Sequence, residues 1–260
     1  MHTILVSNDD GVKGPGLRPL IKELSKIGKV YVIVPKHQMS GTGHGITLAK
    51  YKKTEKIEKD FYAIKGGTPA DCVKYGLYSF LKNKVDLVVS GINTCPNLGQ
   101  DVIYSGTVGA AREGALKGIP SLAVSAAEMY AQDYEHSAAA VREIAAKILK
   151  RKKHFKSICL NINIPRNYKG IKVVPLGLRA YDENVETVTD KKGNFSYKLS
   201  GRFVSGGKNK GTDIDMIEQG YISVTPLILD QTDFSLINKM QGRRDVKMQS
   251  NGKYKKITWS

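Results

Sequence analysis

Two adjacent carboxylates, Asp9 and Asp10, follow the run "TILVSN", whose apolar and β-branched residues predict a first buried strand. Two like charges at a buried sheet edge repel each other, and a cation beside them lowers that cost. Ser40 and Asn93 follow two further predicted strands, so we expect them at the same carboxyl edge of the sheet. Carboxylate, hydroxyl and amide oxygens suit Mg²⁺ or Mn²⁺ rather than zinc. These four residues therefore predict a divalent-metal site.

The motif "NDDG" also has an interpretation without a metal. Asn and Asp are common in turns, and an Asx cap ahead of a helix would explain the motif with no ligand. The motif alone favours that turn. The expected convergence with Ser40 and Asn93 favours the metal.

A second candidate site lies in the segment "YSGT", which predicts the start of a helix. Ser105, Gly106 and Thr107 stand where free backbone N–H groups and the positive end of the helix dipole favour an anion such as phosphate. The loop before them, which begins after Asn93, is long for a strand–helix connection, and such loops are often functional. An ordinary helix cap followed by small packing residues is the alternative.

Other chemistries lack their sequence patterns. The chain contains neither G-x-G-x-x-G after its first strand nor G-x-x-x-x-G-K-[ST], so the usual dinucleotide and P-loop fingerprints are missing. Cys95 lies in the long loop, but the sequence offers no partner base for a thiol nucleophile. His44 in "GTGHG" could polarise a leaving group, although packing is the simpler interpretation.

The elements that position these residues divide the chain in two. Up to residue 165, strand-like and helix-like segments alternate, which predicts a parallel sheet with helices on its faces. From residue 166 to 260 helical periodicity fades, and strand-like segments separated by glycine-rich and charged turns predict hairpins. Predicted helices are "PGLRPLIKELSKIGK", "TPADCVKYGLYSFL", "SGTVGAAREGALKG" and "SAAAVREIAAKILK". Predicted strands include "KVYVIVP", "VDLVVSGIN", "IKVVPLGL", "NFSYKLSGRFVS" and "GYISVTPLIL".

Composition limits the class of protein. The 260 residues carry a formal net charge of +17, which would attract phosphates of nucleotides, polyphosphate or nucleic acid, although a lysine-rich, well-solvated surface is the favoured explanation. Three widely spaced cysteines match neither a zinc site nor a disulfide scaffold. Because no apolar run approaches the roughly 18 residues that span a bilayer, we expect a soluble cytoplasmic protein with no membrane partner.

Several motifs in register resemble the SurE family of stationary-phase survival proteins. They are "ILVSNDDGVKGPGL", "SGTGHGITL", "GTPADCV", "VVSGIN", "PNLGQDVIYSGTVGAAREG", "LNINIP" and "GTDIDMIEQGYISVTPL", which together span residue 3 to about residue 233. The resemblance implies a Rossmann-like α/β core with a C-terminal extension that exchanges hairpins between subunits of a homodimer or homotetramer. It also implies a 5′-nucleotidase that hydrolyses nucleoside monophosphates with one divalent ion per subunit, and in some members short polyphosphate.

Carried over by motif, the metal ligands would be Asp9, Asp10, Ser40 and Asn93, with Asp9 also orienting or deprotonating the attacking water. Asn97, Ser105, Gly106 and Thr107 match the family's phosphate-binding surroundings. Two positions depart from the family's usual pattern: Cys95 stands where glycine is usual, and Met39 stands where arginine is common. A glycine with positive φ at the first position would make a cysteine there strained.

Three rivals remain open. An aspartyl-phosphate phosphatase would use one carboxylate as the nucleophile, but it usually needs an Asp-x-Asp pattern. A receiver-like signalling module would have about half this length. A basic nucleic-acid-binding module would bind with a steep salt dependence and without a metal, and it is not favoured.

Overall fold

The computed structural model describes residues 1–82, 84–127, 133–205 and 209–241. Met1–Leu229 form one compact unit, and Asp230–Ser260 form a second. The described strands are β1 Thr3–Ser7, β2 Lys29–Pro35, β3 Thr54–Glu58, β4 Phe61–Ile64, β5 Leu87–Asn93, β6 Ser121–Ala126, β7 Cys159–Ile164, β8 Ile171–Val173, β9 Arg179–Thr189, β10 Phe195–Ser205 and β11 Ile222–Leu227. The described α-helices are α1 Leu17–Leu24, α2 Pro69–Tyr75, α3 Asp101–Tyr104, α4 Gly106–Leu116, α5 Tyr134–Lys150, α6 Asp213–Glu218 and α7 Phe234–Met240.

The first unit is built on a sheet with the strand order β3-β4-β2-β1-β5-β6-β7-β11-β8. The six strands from β4 to β7 in this order are parallel to their neighbours, and β3 and β11 run antiparallel to β4 and β7. The strand order reverses between β1 and β5: β2 lies on one side of β1, and β5 lies on the other side. In such sheets the crevice at this switch point, outside the carboxyl ends of the strands, is where ligands bind.

Helices cover both faces of this sheet, because successive side chains of each strand point to opposite faces. Ile4 and Val6 of β1 pack in one buried cluster with residues of α1 and α5. Leu5 lies between them in the sequence and packs in another cluster with residues of α2 and Ala110 of α4. The prediction of a mostly parallel α/β fold with helices on both faces is confirmed.

Helix boundaries differ in detail from the sequence predictions. The first helix begins at Leu17, so Pro15 precedes it and does not occupy its first turn. Thr68 caps α2 as predicted, through a capping box with Asp71, but the helix continues from Gly76 to Phe80 as a wider π-helical segment. No described helix is both long enough and apolar enough to cross a bilayer.

The part of the chain beyond residue 165 contributes in two ways. β9 and β10 form a separate antiparallel hairpin with residues Arg179–Ser205 in continuous register, which agrees with the expected hairpin-rich extension. β8 and β11 instead join the main sheet, where β11 pairs with both β7 and β8. The domain boundary at residues 165 and 166 stays a prediction. In the second unit, the Asp233 side chain caps α7.

Candidate active site

A cavity of about 390 Å³ opens at the carboxyl edge of β1 and β5. Five residues predicted for the site line it together: Asp9, Ser40, Asn93, Asn97 and Ser105. The other lining residues are Gln38, Gly41, Thr94, Cys95, Pro96, Asp101, Tyr104 and Tyr181. The strands thus bring five predicted residues, which span almost one hundred positions of the sequence, to one cavity.

Asp9 is a buried carboxylate that the start of α4 holds in place. Thr107 donates its hydroxyl to Asp9 Oδ1 and its backbone N–H to Asp9 Oδ2, the latter over 3.3 Å. The backbone carbonyl of Asp9 accepts a 2.8 Å hydrogen bond from the N–H of Met39. Burial raises the pKa of Asp9 above its usual value, although the hydrogen bonds from Thr107 oppose that rise.

Asp10 points to a neighbouring cavity of about 460 Å³ and does not line the first one. Gln38 and Thr94 line both cavities, so the two cavities adjoin. Thr94 donates its N–H and its hydroxyl to the Asp10 carboxylate, each over 3.3 Å. Burial and then the charge of Asp9 raise the pKa of Asp10 to about 6. The raised pKa values show that the surroundings of Asp9 and Asp10 supply too little positive charge to stabilise both ionised carboxylates.

Asn93 ends β5 with its amide fixed in one orientation. Its Nδ2 donates to the backbone carbonyl of Cys95 over 2.8 Å, and within the described part of the chain its Oδ1 accepts no hydrogen bond. Cys95 does not have a positive φ. The expectation that a cysteine at this position would be strained therefore does not hold. The Ser40 side chain is exposed at the cavity wall.

The three residues of the predicted anion site take different positions. Ser105 lines the cavity and caps α4, because its side chain accepts the N–H of Val108 over 3.1 Å. Gly106 packs so closely that an added Cβ would lie 3.0 Å from the Cβ of Asp9. Thr107 is fully buried with both donors directed at Asp9. Direct phosphate binding by Thr107 stays a prediction.

Asn97 is held rigidly by the neighbouring strands β6 and β7. Its N–H donates to Asn163 Oδ1 over 2.8 Å, and its Nδ2 donates to Ser125 Oγ over 2.7 Å. Its carbonyl accepts hydrogen bonds from the side chains of Asn161 and Asn163, at 2.7 and 3.1 Å. This network fixes the Asn97 backbone at the wall of the cavity.

Asp213 supports the same loop, and sequence reasoning gave it no role. It is fully buried at the start of α6 and accepts backbone N–H groups from Gly99 over 2.9 Å, Gly177 over 2.7 Å and Ile214 over 2.9 Å. Burial raises its pKa although these three bonds oppose the rise. The motif "GTDIDMIEQG" contains Asp213, but only the fold reveals that its partner Gly99 lies 114 positions away.

The base of the hairpin also reaches the cavity, which the sequence did not predict. Tyr181 of β9 donates its hydroxyl to both oxygens of Asp101, over 2.8 and 2.9 Å. Arg179 binds the same carboxylate over 2.5 Å, and its backbone N–H donates to Gln100 over 2.7 Å. Burial, followed by the bond to Asp101, raises the pKa of Tyr181 to about 12.

His44 lies outside the lining of the cavity and is bound to the buried Glu113 of α4. Its Nε2 is 2.9 Å from Glu113 Oε1, and Lys74 of α2 donates to Glu113 Oε2 over 3.0 Å. Burial raises the pKa of Glu113, but the bonds from His44 and Lys74 outweigh it and hold that pKa below its usual value. The structure thus places His44 in a hydrogen-bonded cluster with Glu113 and Lys74, outside the lining of the cavity that contains Asp9.

The donor set suits a hard cation more than a soft one. In the described residues, no group of three or more His, Cys, Asp or Glu side chains is arranged as a metal site. The predicted set has two carboxylates, with a hydroxyl and an amide oxygen completing it. No Lys, Arg or His lines the cavity that contains Asp9 among those residues. A cation with oxygen ligands would therefore supply charge that the nearby side chains do not.

Comparisons with known proteins show which family this chain is similar to. Residues 4–183 match the sequence profile of the family described as "Survival protein SurE". The 5′-nucleotidase SurE of Aquifex aeolicus is 40% identical over 250 residues, which cover 94% of this chain and 99% of that protein. The 5′-nucleotidase SurE of Desulforamulus reducens is 41% identical over 247 residues, covering 92% and 97%. The crystal structure of the SurE protein from Aquifex aeolicus has a TM-score of 0.80 and 40% identity, covering 92% of this chain and 98% of that one.

Proposed function

This chain belongs to the SurE family, and from that membership we propose that it is a 5′-nucleotidase that hydrolyses nucleoside 5′-monophosphates to nucleoside and phosphate. The reaction uses a divalent metal ion, with one Mg²⁺ or Mn²⁺ per subunit. The observation that carries the proposal is the pair of carboxylates at the switch point of the sheet, the buried Asp9 and the half-buried Asp10, with raised pKa values and no cationic side chain lining the Asp9 cavity among the described residues.

The residues that would hold the metal are Asp9, Asp10, Ser40 and Asn93. The elevated pKa of Asp10, about 6, reflects burial and then repulsion by Asp9, which a bound cation would relieve. The hydrogen bond from Asn93 Nδ2 to the Cys95 carbonyl fixes the orientation of the Asn93 amide. Its Oδ1 accepts no hydrogen bond from the described residues, so this oxygen is available as a metal ligand. When bound, a divalent ion supplies positive charge to the phosphate ester and lowers the pKa of a coordinated water.

Side chains and backbone groups of the protein would activate the water and bind the phosphoryl group. Asp9 would orient the attacking water and accept its proton, and the two donors of Thr107 fix the direction of that carboxylate. Asn97 and the N-terminus of α4 at Ser105–Thr107 would bind the phosphoryl oxygens, whose charge rises in the transition state. The helix α4 has eleven residues, so its dipole contributes at this end.

We expect the protein to act as a cytoplasmic homodimer or homotetramer. The β9–β10 hairpin exposes apolar side chains at Val185, Val188, Phe195, Tyr197 and Leu199. A paired hairpin with that much exposed apolar surface is typical of an interface. Exchange of the hairpin between subunits is therefore part of the proposal.

A phosphate-release assay tests the proposed function. The wild-type protein is incubated with nucleoside monophosphates, with and without EDTA, and with Mg²⁺ or Mn²⁺ added back. We expect metal-dependent phosphate release that EDTA abolishes and that the Asp9→Asn variant loses. Release that continues undiminished in EDTA, or an Asp9→Asn variant with near wild-type activity and an unchanged melting temperature, would reject the proposal.

A further inference from the structure

We propose that Tyr104 and Tyr181 form an aromatic platform for the base of the nucleotide, so that this cavity selects nucleoside monophosphates over linear polyphosphate. The inference rests on the proposed 5′-nucleotidase function and deepens it, because it names the part of the substrate that the cavity recognises. Tyr104 ends α3, and Tyr181 belongs to the base of the hairpin. They are the only aromatic residues among the described residues that line the cavity with Asp9.

Two chemical kinds of side chain line the cavity. Asp9, Ser40 and Asn93 carry oxygen atoms. Cys95, Pro96, Tyr104 and Tyr181 contribute mainly apolar or aromatic surface. A phosphate suits the first kind of side chain, and a flat, uncharged ring suits the second. A nucleoside monophosphate carries both groups in one molecule.

The Tyr181 ring is fixed before any substrate arrives. Its hydroxyl is bound to both oxygens of Asp101, at 2.8 and 2.9 Å, and the Arg179 guanidinium lies 5.5 Å from the ring centroid. The pKa of Tyr181, about 12, keeps the ring neutral at physiological pH. A rigid aromatic surface loses little conformational entropy when a base stacks on it.

The charges of the cavity disfavour a polyphosphate chain. Every phosphate unit of a polyphosphate carries negative charge and requires cations beyond the metal. Among the described residues, no Lys, Arg or His lines this cavity, and Asp101 is already paired with Arg179. Met39 stands in the sequence between the lining residues Gln38 and Ser40 and carries no charge. A neutral base has no such requirement.

The neighbouring cavity is the place where a polyphosphate could find cations. Lys13, Lys36 and His37 line it beside Asp10. Lys36 is bound to both oxygens of Glu55 at 2.7 Å, which neutralises much of its charge. Lys13 therefore supplies the main free positive charge among these three side chains, and a single lysine is a weak site for a polyanion.

The test compares substrates that share a phosphate and differ in the leaving group. AMP and ribose 5-phosphate have the same phosphorylated sugar, and only AMP has a base. The Tyr104→Leu variant removes the ring at a side chain that is 67% exposed and forms no hydrogen bond with the described residues, so we expect the fold to be preserved. Tyr104→Phe is the matched control, because it keeps the ring.

We expect Tyr104→Leu to raise the ratio of the KM for AMP to the KM for ribose 5-phosphate by about tenfold, the size of one stacking contact. Tyr104→Phe should keep the wild-type ratio, and Tyr181→Leu should raise it as Tyr104→Leu does. Wild-type kcat/KM for tripolyphosphate should lie at least ~tenfold below that for AMP, because the cavity supplies no cation.

Three results would overturn the proposed aromatic platform. An unchanged KM ratio in both leucine variants, or tripolyphosphate turnover equal to AMP turnover, overturns it while the wild type still hydrolyses AMP. A wild-type tripolyphosphate activity that equals AMP activity and falls in Lys13→Ala would place the second substrate in the neighbouring cavity and would also overturn it. A wild-type protein that hydrolyses neither AMP nor ribose 5-phosphate would reject the proposed function and the platform together.

Discussion

We expect the hydroxyl of Thr107 to strengthen metal binding by Asp9, because it holds the Asp9 carboxylate in place. Thr107 donates two hydrogen bonds to Asp9, and a Thr107→Val substitution removes the hydroxyl while it keeps the shape and the backbone N–H. A hydrogen bond to a charged acceptor contributes ~1.5–3 kcal/mol. Because the backbone donor stays in place at 3.3 Å, we take the lower end, ~1.5–2 kcal/mol.

This energy predicts a measurable loss of activity. A loss of ~1.5–2 kcal/mol corresponds to a roughly ten- to thirtyfold fall in kcat/KM for AMP at limiting Mn²⁺. The pKa of Asp9 should also rise, because the bond from Thr107 is one of the effects that lower it, and protons will then compete better with the metal. The Mn²⁺ concentration for half-maximal activity should therefore increase.

The assay is phosphate release from AMP across a Mn²⁺ series, for wild type, Thr107→Val and Thr107→Ser. The serine variant keeps the hydroxyl and is the matched control for a change at this fully buried position. Melting temperatures identify any loss of folding. A folded valine variant whose kcat/KM and Mn²⁺ requirement stay within about twofold of the serine variant would refute the reasoning, since a lost charged hydrogen bond costs more than that.

Two further predictions concern the helix that supports Asp9. Gly106→Ala should lower kcat/KM for AMP by about tenfold, because the new Cβ would lie 2.9 Å from Thr42 Oγ1 and 3.0 Å from the Cβ of Asp9, so that this crowded contact has to shift beside the proposed ligand. Unchanged steady-state rates would show that the site tolerates the shift. Lys74→Met should destabilise the protein most near neutral pH, because Lys74 is one of the partners that hold the pKa of Glu113 below its usual value. The stability that this pair contributes is present above about pH 4.3, the pKa of an unfolded glutamate, and is lost as the pH falls through the lower pKa of the folded state. Urea unfolding of both proteins from pH 7 to 3 measures this, and a difference that stays constant or grows on acidification would contradict it.

The sequence predicted well those features that depend on local pattern. The alternation of strands and helices follows from periodicity, and the position of Asp9 follows from its place after a buried strand. Ser40 and Asn93 could be placed near it because parallel strands bring their carboxyl ends to one edge. Asp10 lines the neighbouring cavity instead, which a one-dimensional pattern cannot show.

The sequence could not predict contacts that depend on the folded arrangement of distant segments. Asp213 accepts the N–H of Gly99 from 114 positions away, and Tyr181 binds Asp101 from 80 positions away. No periodicity or capping pattern connects such pairs, since their members meet only through the folded arrangement of distant segments. His44 illustrates the opposite case, where a chemically attractive residue in the site loop pairs with the buried Glu113 instead.

Mn²⁺ binding tests the central claim most directly, because it needs no substrate and no turnover. An equilibrium titration of the free ion by electron paramagnetic resonance compares the wild type with folded Asp9→Asn. We expect one Mn²⁺ per chain in the wild type and an affinity at least ~100-fold lower in the variant, since a buried carboxylate ligand is lost. Equal Mn²⁺ affinity in the two proteins, or no binding by the wild type at millimolar concentration, would contradict it.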